Sequence, residues 1–224
     1  MTQLSINVNK LALIRNSREG VYPSVTQFAQ HCVAQGADGI TAHPRPDQRH
    51  ITAQDCLDLT ASLSVEFNIE GNPFAHAQKS SRPDISDYPG FMTMVEQLKP
   101  AQCTLVPDNN SQLTSDHGFD LQRDAEKLAP IIARLKTLGI RSSLFMDANP
   151  RAMQLAADIG ADRIELYTGP YAANFKADNK TAVAPYTAAA EAALAAGLAV
   201  NAGHDLNLHN LGYFIANLPH VAEV

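Results

Sequence analysis

Cysteine is scarce in this sequence: Cys32, Cys56 and Cys103 stand apart, with no Cys-x-x-Cys spacing. An odd, scattered set supports neither a disulfide framework nor a zinc site, and it fits the cytoplasm. A surplus of positive charge is also absent, since 17 Lys and Arg face 23 Asp and Glu for a formal net charge of −6. Phosphate-backbone binding needs a basic stripe, so nucleic acid is not an expected partner and any anion site has to be local. No apolar run approaches the length of a membrane span, and Met1–Asn9 lacks a charged leader followed by an apolar segment. A membrane is therefore not an expected partner either.

What is present is a chain of 224 residues with 45% hydrophobic residues, enough for one well-packed α/β domain over residues 1–224. Short alternating or apolar segments repeatedly end in polar residues. Leu4–Asn9, Ile40–Ala42, Val65–Gly71, Gln102–Pro107, Ile140–Asp147, Gly160–Gly169 and Leu198–His204 read as strands. Helices are expected from Ser24 to Ala34, Thr52 to Ser62, Phe91 to Leu98, Leu121 to Leu138, Asn149 to Gly160 and Thr181 to Ala196, several of them stopped by glycine. In the second of these, Asp55, Asp58 and Thr60 are expected outward, with Cys56, Leu57 and Leu59 available for packing. Arg15–Gly20 reads as a basic loop, and Asn72–Gly90 and Asp108–Gly118 as irregular connections. Roughly seven β-then-α units follow, and Val221–Val224 looks like the start of an eighth strand. The fold class expected is therefore a (β/α)8 TIM barrel with the eighth β/α unit missing, and a longer natural chain is expected.

Such folds carry their chemistry at the carboxyl ends of the strands. His43 and Arg45 follow the second strand, with Arg45 between Pro44 and Pro46, whose fixed φ leaves little backbone freedom. Imidazole beside guanidinium suits an anionic, oxygen-rich ligand. Glu70 lies on the polar face of its strand, a candidate general base whose pKa burial would raise. Gly203-His204 ends the seventh strand, where a glycine lets backbone approach a phosphate.

These residues carry a resemblance. Asn7-Val-Asn9 with Leu-Ile-Arg15-Asn-Ser-Arg18, Gly36-Ala-Asp-Gly-Ile-Thr-Ala-His43-x-Arg45 with Arg49-His50-Ile, Asn68-Ile-Glu70, Leu105-Val-Pro107, Ile164-Glu165 with Thr168-Gly, and Val200-Asn-Ala-Gly-His204 together resemble the pyridoxine 5′-phosphate synthase family over the whole length. The resemblance implies a cofactor-free and metal-free TIM-barrel enzyme, homo-oligomeric and often octameric. Its small phosphorylated substrates would be 3-amino-2-oxopropyl phosphate and 1-deoxy-D-xylulose 5-phosphate. By the same resemblance His43 and Glu70 would be proton acceptors, His204 the proton donor and Glu165 a stabiliser of charged intermediates. Asn7, Arg18 and the backbone at Asp205 would meet the aminoketone phosphate, and Asn9, Lys10, Arg45, His50 and Thr114 the deoxyxylulose phosphate.

The chain departs from the resemblance in four places. Asn9-Lys10 stands where many members have Asp-His, Asp205 stands for a common glycine, the Asn72–Gly90 connection is long, and the phosphate loop of the eighth strand lies beyond Val224. Two other readings suit parts of the pattern. One is a barrel hydrolase or aldolase, either binding metal through His43, His50, His204 and Glu70 or using Lys10 as a Schiff base inside the barrel. The other is a non-catalytic phosphate-binding barrel.

Overall fold

The computed structural model describes residues 1–109, 111–175 and 179–224, so residue 110 of the expected 108–118 connection lies outside the described residues. Eight strands alternate with helices and are ordered in the sheet as in the sequence, which is the (β/α)8 TIM-barrel class. The chain divides into two compact units, Gln3–Leu113 with Leu135–Arg141, and Met1–Thr2 with Thr114–Arg134 and Ser142–Val224.

In the first unit the elements are β1 (Ser5–Asn7), α1 (Asn9–Asn16), α2 (Val25–Ala34), β2 (Gly39–Ala42), α3 (Ala53–Ser62), β3 (Glu66–Gly71), α4 (Phe91–Leu98) and β4 (Gln102–Leu105). The four strands pair in parallel, with Asn7 opposite Thr41, Thr41 opposite Asn68 and Glu70 opposite Thr104. Ile40, Ile69 and Leu105 are fully buried, whereas the alternate positions carry polar groups that have to bond one another. They do so in a row across the strands. Ser5 Oγ lies 2.8 Å from Thr41 Oγ1, Asn68 Nδ2 donates to Thr41 Oγ1 at 3.3 Å, and Thr104 Oγ1 donates to Asn68 Oδ1 at 3.1 Å. Each shared partner lowers the cost of burying the next, and the row seats the polar ends of β1, β2 and β3.

Three expectations are corrected in this unit. The basic loop starts later, because Arg15 and Asn16 are the last residues of α1. Asp55 is buried rather than outward, for it serves two partners at once. Its carboxylate accepts the Thr52 N–H at 2.8 Å, closing a capping box at the start of α3, and takes both terminal nitrogens of Arg15. Leu57, expected to pack, is 48% exposed on the opposite side. The Arg15 fork also reaches the His50 carbonyl at 3.1 Å, and Asn16 Nδ2 reaches those of Arg49 and His50 at 3.0 and 2.9 Å. The end of α1 therefore holds the backbone of the loop after β2. The Asn72–Gly90 connection contains a single antiparallel bridge, Gln78 with Tyr88, and Tyr88 is buried.

The second unit takes most of α5 (Leu121–Thr137) and of β5 (Arg141–Met146), then a 3-10 turn at Pro150–Ala152, α6 (Met153–Asp158), β6 (Arg163–Tyr167), α7 (Gly169–Asn174), α8 (Asn179–Ala195), β7 (Ala199–Gly203), α9 (Leu211–Asn217) and β8 (Val221–Glu223). Strands β5 to β8 pair in parallel. The eighth strand is formed, and Arg163 at the base of β6 donates to Glu223 at 3.0 Å and Asn201 at 3.1 Å. α7 lies where no helix is expected. It starts with Gly169-Pro170 and is held by Tyr171, whose ring packs on Tyr186 and Phe214 and whose hydroxyl donates to the Asn210 carbonyl at 2.7 Å. No described helix is long and apolar enough to cross a membrane.

Candidate active site

In the first unit the expected site residues Asn7, Asn9, His43, Arg45, His50 and Glu70 are brought together after β1, β2 and β3. Asn7 and Asn9 are the ties. Asn7 Oδ1 accepts the Asn9 N–H at 2.9 Å and Asn7 Nδ2 donates to Glu70 Oε2 at 3.3 Å, while Asn9 Oδ1 accepts the His43 N–H at 2.8 Å. Glu70 is 9% exposed and His43 6%. Burial, with the nearby Glu70 carboxylate, pushes the Cys103 thiol far up, which keeps it protonated and inert.

Arg45 is not a loose anion hook. It is 3% exposed and its fork is engaged: Nη1 donates to Asp108 at 2.8 Å, and Nη2 to the carbonyls of Asn109 and Gln112 at 2.7 and 3.0 Å. Its buried Nε has no hydrogen-bond partner among the described residues. Arg49 adds bonds to the Gln112 and Leu113 carbonyls, so two arginines pin the connection after β4. Asp108 Oδ2 also lies 3.7 Å from His43 Nε2. Asp108 is the residue that sequence reasoning missed in this cluster.

His50 is held neutral. Burial, then the adjacent Arg45 charge, pulls its pKa down to about 4, and its Nδ1 accepts the Ile51 N–H at 2.8 Å, leaving Nε2 as the donor of the neutral ring. The sign follows from linkage: the unfolded chain binds this proton near pH 6.5 and the folded one near 4. Its contribution to stability is complete above about pH 6.5 and is lost as pH falls towards 4, by at most ~1.4 kcal/mol per pH unit. Urea unfolding between pH 7 and 4.5 is expected to show His50→Gln losing less stability on acidification than the parent; parallel losses would contradict a buried neutral ring.

Lys10 and Arg18 are exposed. β1 ends at Asn7 and the chain turns directly into α1, which carries Lys10 to solvent rather than into the barrel interior that the Schiff-base reading requires.

In the second unit the expected residues Glu165, His204 and Asp205 come together at the ends of β6 and β7. Gly203 stands opposite Tyr167, and a Cβ on it would lie 2.6 Å from Glu165 Oε1, so the missing side chain is where the Glu165 carboxylate rests. The His204 ring meets Tyr167 edge-on at 5.1 Å and Phe145 at 6.0 Å. Burial, then the Asp205, Asp116 and Asp147 carboxylates, raises the Tyr167 hydroxyl, which stays a neutral wall of the cluster. The Asp205 side chain is 58% exposed, with Oδ2 3.8 Å from His204 Nδ1. Thr114 is exposed in the connection before α5. A cavity of about 470 Å³ lies beside α7 and α8, lined by Tyr167, Tyr171 and Tyr186 with Asp147 as its one charged wall. None of the expected site residues lines it, and no cation among its described lining suits a phosphate. Among the described residues no three His, Cys, Asp or Glu are grouped to hold a metal.

The family model described as "Pyridoxal phosphate biosynthesis protein PdxJ" matches residues 4–224. The chain belongs to the PdxJ family. It is 55% identical over 227 residues to a pyridoxine 5'-phosphate synthase of Xanthomonas axonopodis pv. citri, covering 100% of this chain and 86% of the relative. It is 47% identical over 224 residues to the enzyme of that name from Bacteroides thetaiotaomicron, covering 100% and 89%. Among solved structures, a tetrameric deoxyribose phosphate aldolase from Aeropyrum pernix superposes with a TM-score of 0.57 at 11% identity, over 100% of this chain and 84% of that one. A phosphoribosylanthranilate isomerase from Thermotoga maritima superposes at 0.52 and 14% identity, over 100% and 87%. These two likenesses speak for the fold alone. Within this PdxJ chain, the strand-end residues of both clusters are the ones that the sequence resemblance singles out.

Proposed function

We propose that the chain is a pyridoxine 5′-phosphate synthase of vitamin B6 biosynthesis, condensing 3-amino-2-oxopropyl phosphate with 1-deoxy-D-xylulose 5-phosphate to pyridoxine 5′-phosphate, phosphate and water. The observation that carries this reading is full-length membership of the PdxJ family together with buried, strand-end His43 and Glu70. The reaction needs an amine to add to a ketone, protons to leave carbon, hydroxyl and phosphate to depart, and a ring to close. Each step moves a proton, and groups of different basicity held in fixed positions serve different steps.

In this reading His43 and Glu70 accept protons. Asn7 supports the Glu70 carboxylate with an N–H that persists whether the carboxyl is charged or neutral. His204 returns a proton to the leaving oxygen, and Glu165 balances the cationic imine. Neutral His50 offers Nε2–H to the deoxyxylulose phosphate, together with Arg45, Thr114, Asn9 and Lys10, while Asn7, Arg18 and the Asp205 backbone take the aminoketone phosphate. The exposed apolar pairs Leu13-Ile14 and Val21-Tyr22, at 45 and 61% and at 71 and 75%, support a homo-oligomer, octameric by family resemblance, in which they would be covered. A cytoplasmic location accords with three free cysteines.

The test mixes purified protein with both substrates, without added metal or cofactor, and follows pyridoxine 5′-phosphate by mass spectrometry beside a phosphate assay. Equal release of both products is expected. Unchanged substrates at full occupancy would overturn the reading.

A further inference from the structure

We infer that Thr168 is the positioning residue for His204, fixing the backbone on both sides of that imidazole. His204 has φ of 95° and Asp205 φ of 57°, two successive residues with side chains in a conformation that favours glycine. Something has to hold them there. Thr168 is fully buried, its N–H donates to the Gly203 carbonyl at 3.0 Å, and its hydroxyl reaches the carbonyls of Gly203, at 2.7 Å, and of His204. Those carbonyls belong to the peptide planes before and after the His204 Cα. Fixing both planes fixes φ and ψ of His204, and with them the direction in which its side chain leaves the backbone.

The neighbours of Thr168 complete the device. Tyr167 presses edge-on against the His204 ring with planes at 86°. It can do so because the next residue but one is Gly169: a Cβ there would lie 2.4 Å from the Tyr167 hydroxyl. The segment thus acts on His204 in two ways, through the Tyr167 ring contact and the Thr168 backbone clamp, with Gly169 leaving room for the ring. A hydroxyl that merely satisfied one buried carbonyl would not need to bridge two successive peptide planes.

The inference rests on His204 being the proton donor, so its test separates the two. Thr168→Val keeps the size and removes the hydroxyl, whereas Thr168→Ser keeps the hydroxyl and loses a methyl. Misplacing an acid by a fraction of its reach lowers turnover more than binding, so Thr168→Val is expected to lose ~10–100-fold in kcat with KM nearly unchanged, and Thr168→Ser to recover most of it. A thermal melt confirms that both fold. The His204 imidazole signal, assigned by its loss in His204→Gln, is read by NMR without substrate, and in Thr168→Val it is expected to shift as the ring leaves Tyr167. An unmoved signal, or Thr168→Ser losing as much turnover as Thr168→Val, would overturn the clamp. Full turnover in His204→Gln would sink the proton-donor role instead, while the NMR shift still decides whether Thr168 positions the ring.

Discussion

Glu70→Gln is expected to lower kcat by ~10²–10⁴-fold, the range a lost general base commonly costs, while the protein melts within a few degrees of the parent. The substitution is nearly isosteric. Glutamine keeps an oxygen that can accept the Asn7 N–H, so the tie between β1 and β3 survives and only the proton-accepting lone pair of a carboxylate is lost. Burial supports the role as well: a carboxylate at 9% exposure, on the polar face of β3 opposite Thr104, is costly to keep out of water. Single-turnover product formation separates chemistry from substrate binding. A Gln variant that turns over within about threefold of the parent would mean that Glu70 is only a hydrogen-bond acceptor, and proton abstraction would then fall to His43 alone.

Much of the fold is legible because its signals are local. Gly36, Gly139, Gly160 and Gly197 stop helices, each with a positive φ, and each feeds the next strand, so the β-then-α rhythm can be read by eye. α1 escapes because its start carries none of the usual marks. Val8 offers no capping side chain, the first turn has no acid, and Lys10 sits where the helix dipole is unfavourable to a cation. Buried Ala12 and the Arg15–Asp55 pair hold this helix instead, and a pair 40 residues apart leaves no trace in a window of sequence. α7 escapes for a similar reason, since a six-residue helix stands on Tyr171 packing rather than on propensity.

The candidate site divides in the same way. His43, Glu70 and His204 are legible as strand-end residues because strand direction alone sets which end they reach, whereas Glu165, inside β6, is singled out by the family resemblance alone. Their partners are not. Thr168 meets carbonyls 35 and 36 residues away, and Asp108 meets Arg45 across 63 residues. In both cases the sequence neighbourhood reads as loop chemistry. The expectation that Arg45 is poised for a ligand also needs its context: prolines on both sides do hold it, but the fork is already turned onto Asp108 and two carbonyls. A phosphate that used Arg45 would have to share or exchange those partners.

That engagement makes Asp108→Ala the most damaging change expected for stability. Arg45 is 3% exposed and Asp108 5%, so removing the carboxylate strands a guanidinium that cannot lose its proton in a site closed to water. Breaking one side of a buried pair costs ~3–5 kcal/mol, which in a chain of this size lowers Tm by roughly 6–20 °C. His43 would feel the same loss through its 3.7 Å approach to Asp108, because a nearby carboxylate favours the protonated imidazole that forms when His43 takes a proton. Asp108→Asn is expected to be milder, since its amide oxygen still accepts from Arg45 Nη1 while the charge is gone. The decisive variant is the double replacement Arg45→Met with Asp108→Leu. With neither charge left to be buried alone, it is expected to melt above Asp108→Ala although it removes more interactions, a non-additivity that marks a coupled pair. Melting below the single variant would instead assign the stability to the arginine's bonds with the Asn109 and Gln112 carbonyls. The carboxylate would then matter chiefly through the basicity that it lends to His43.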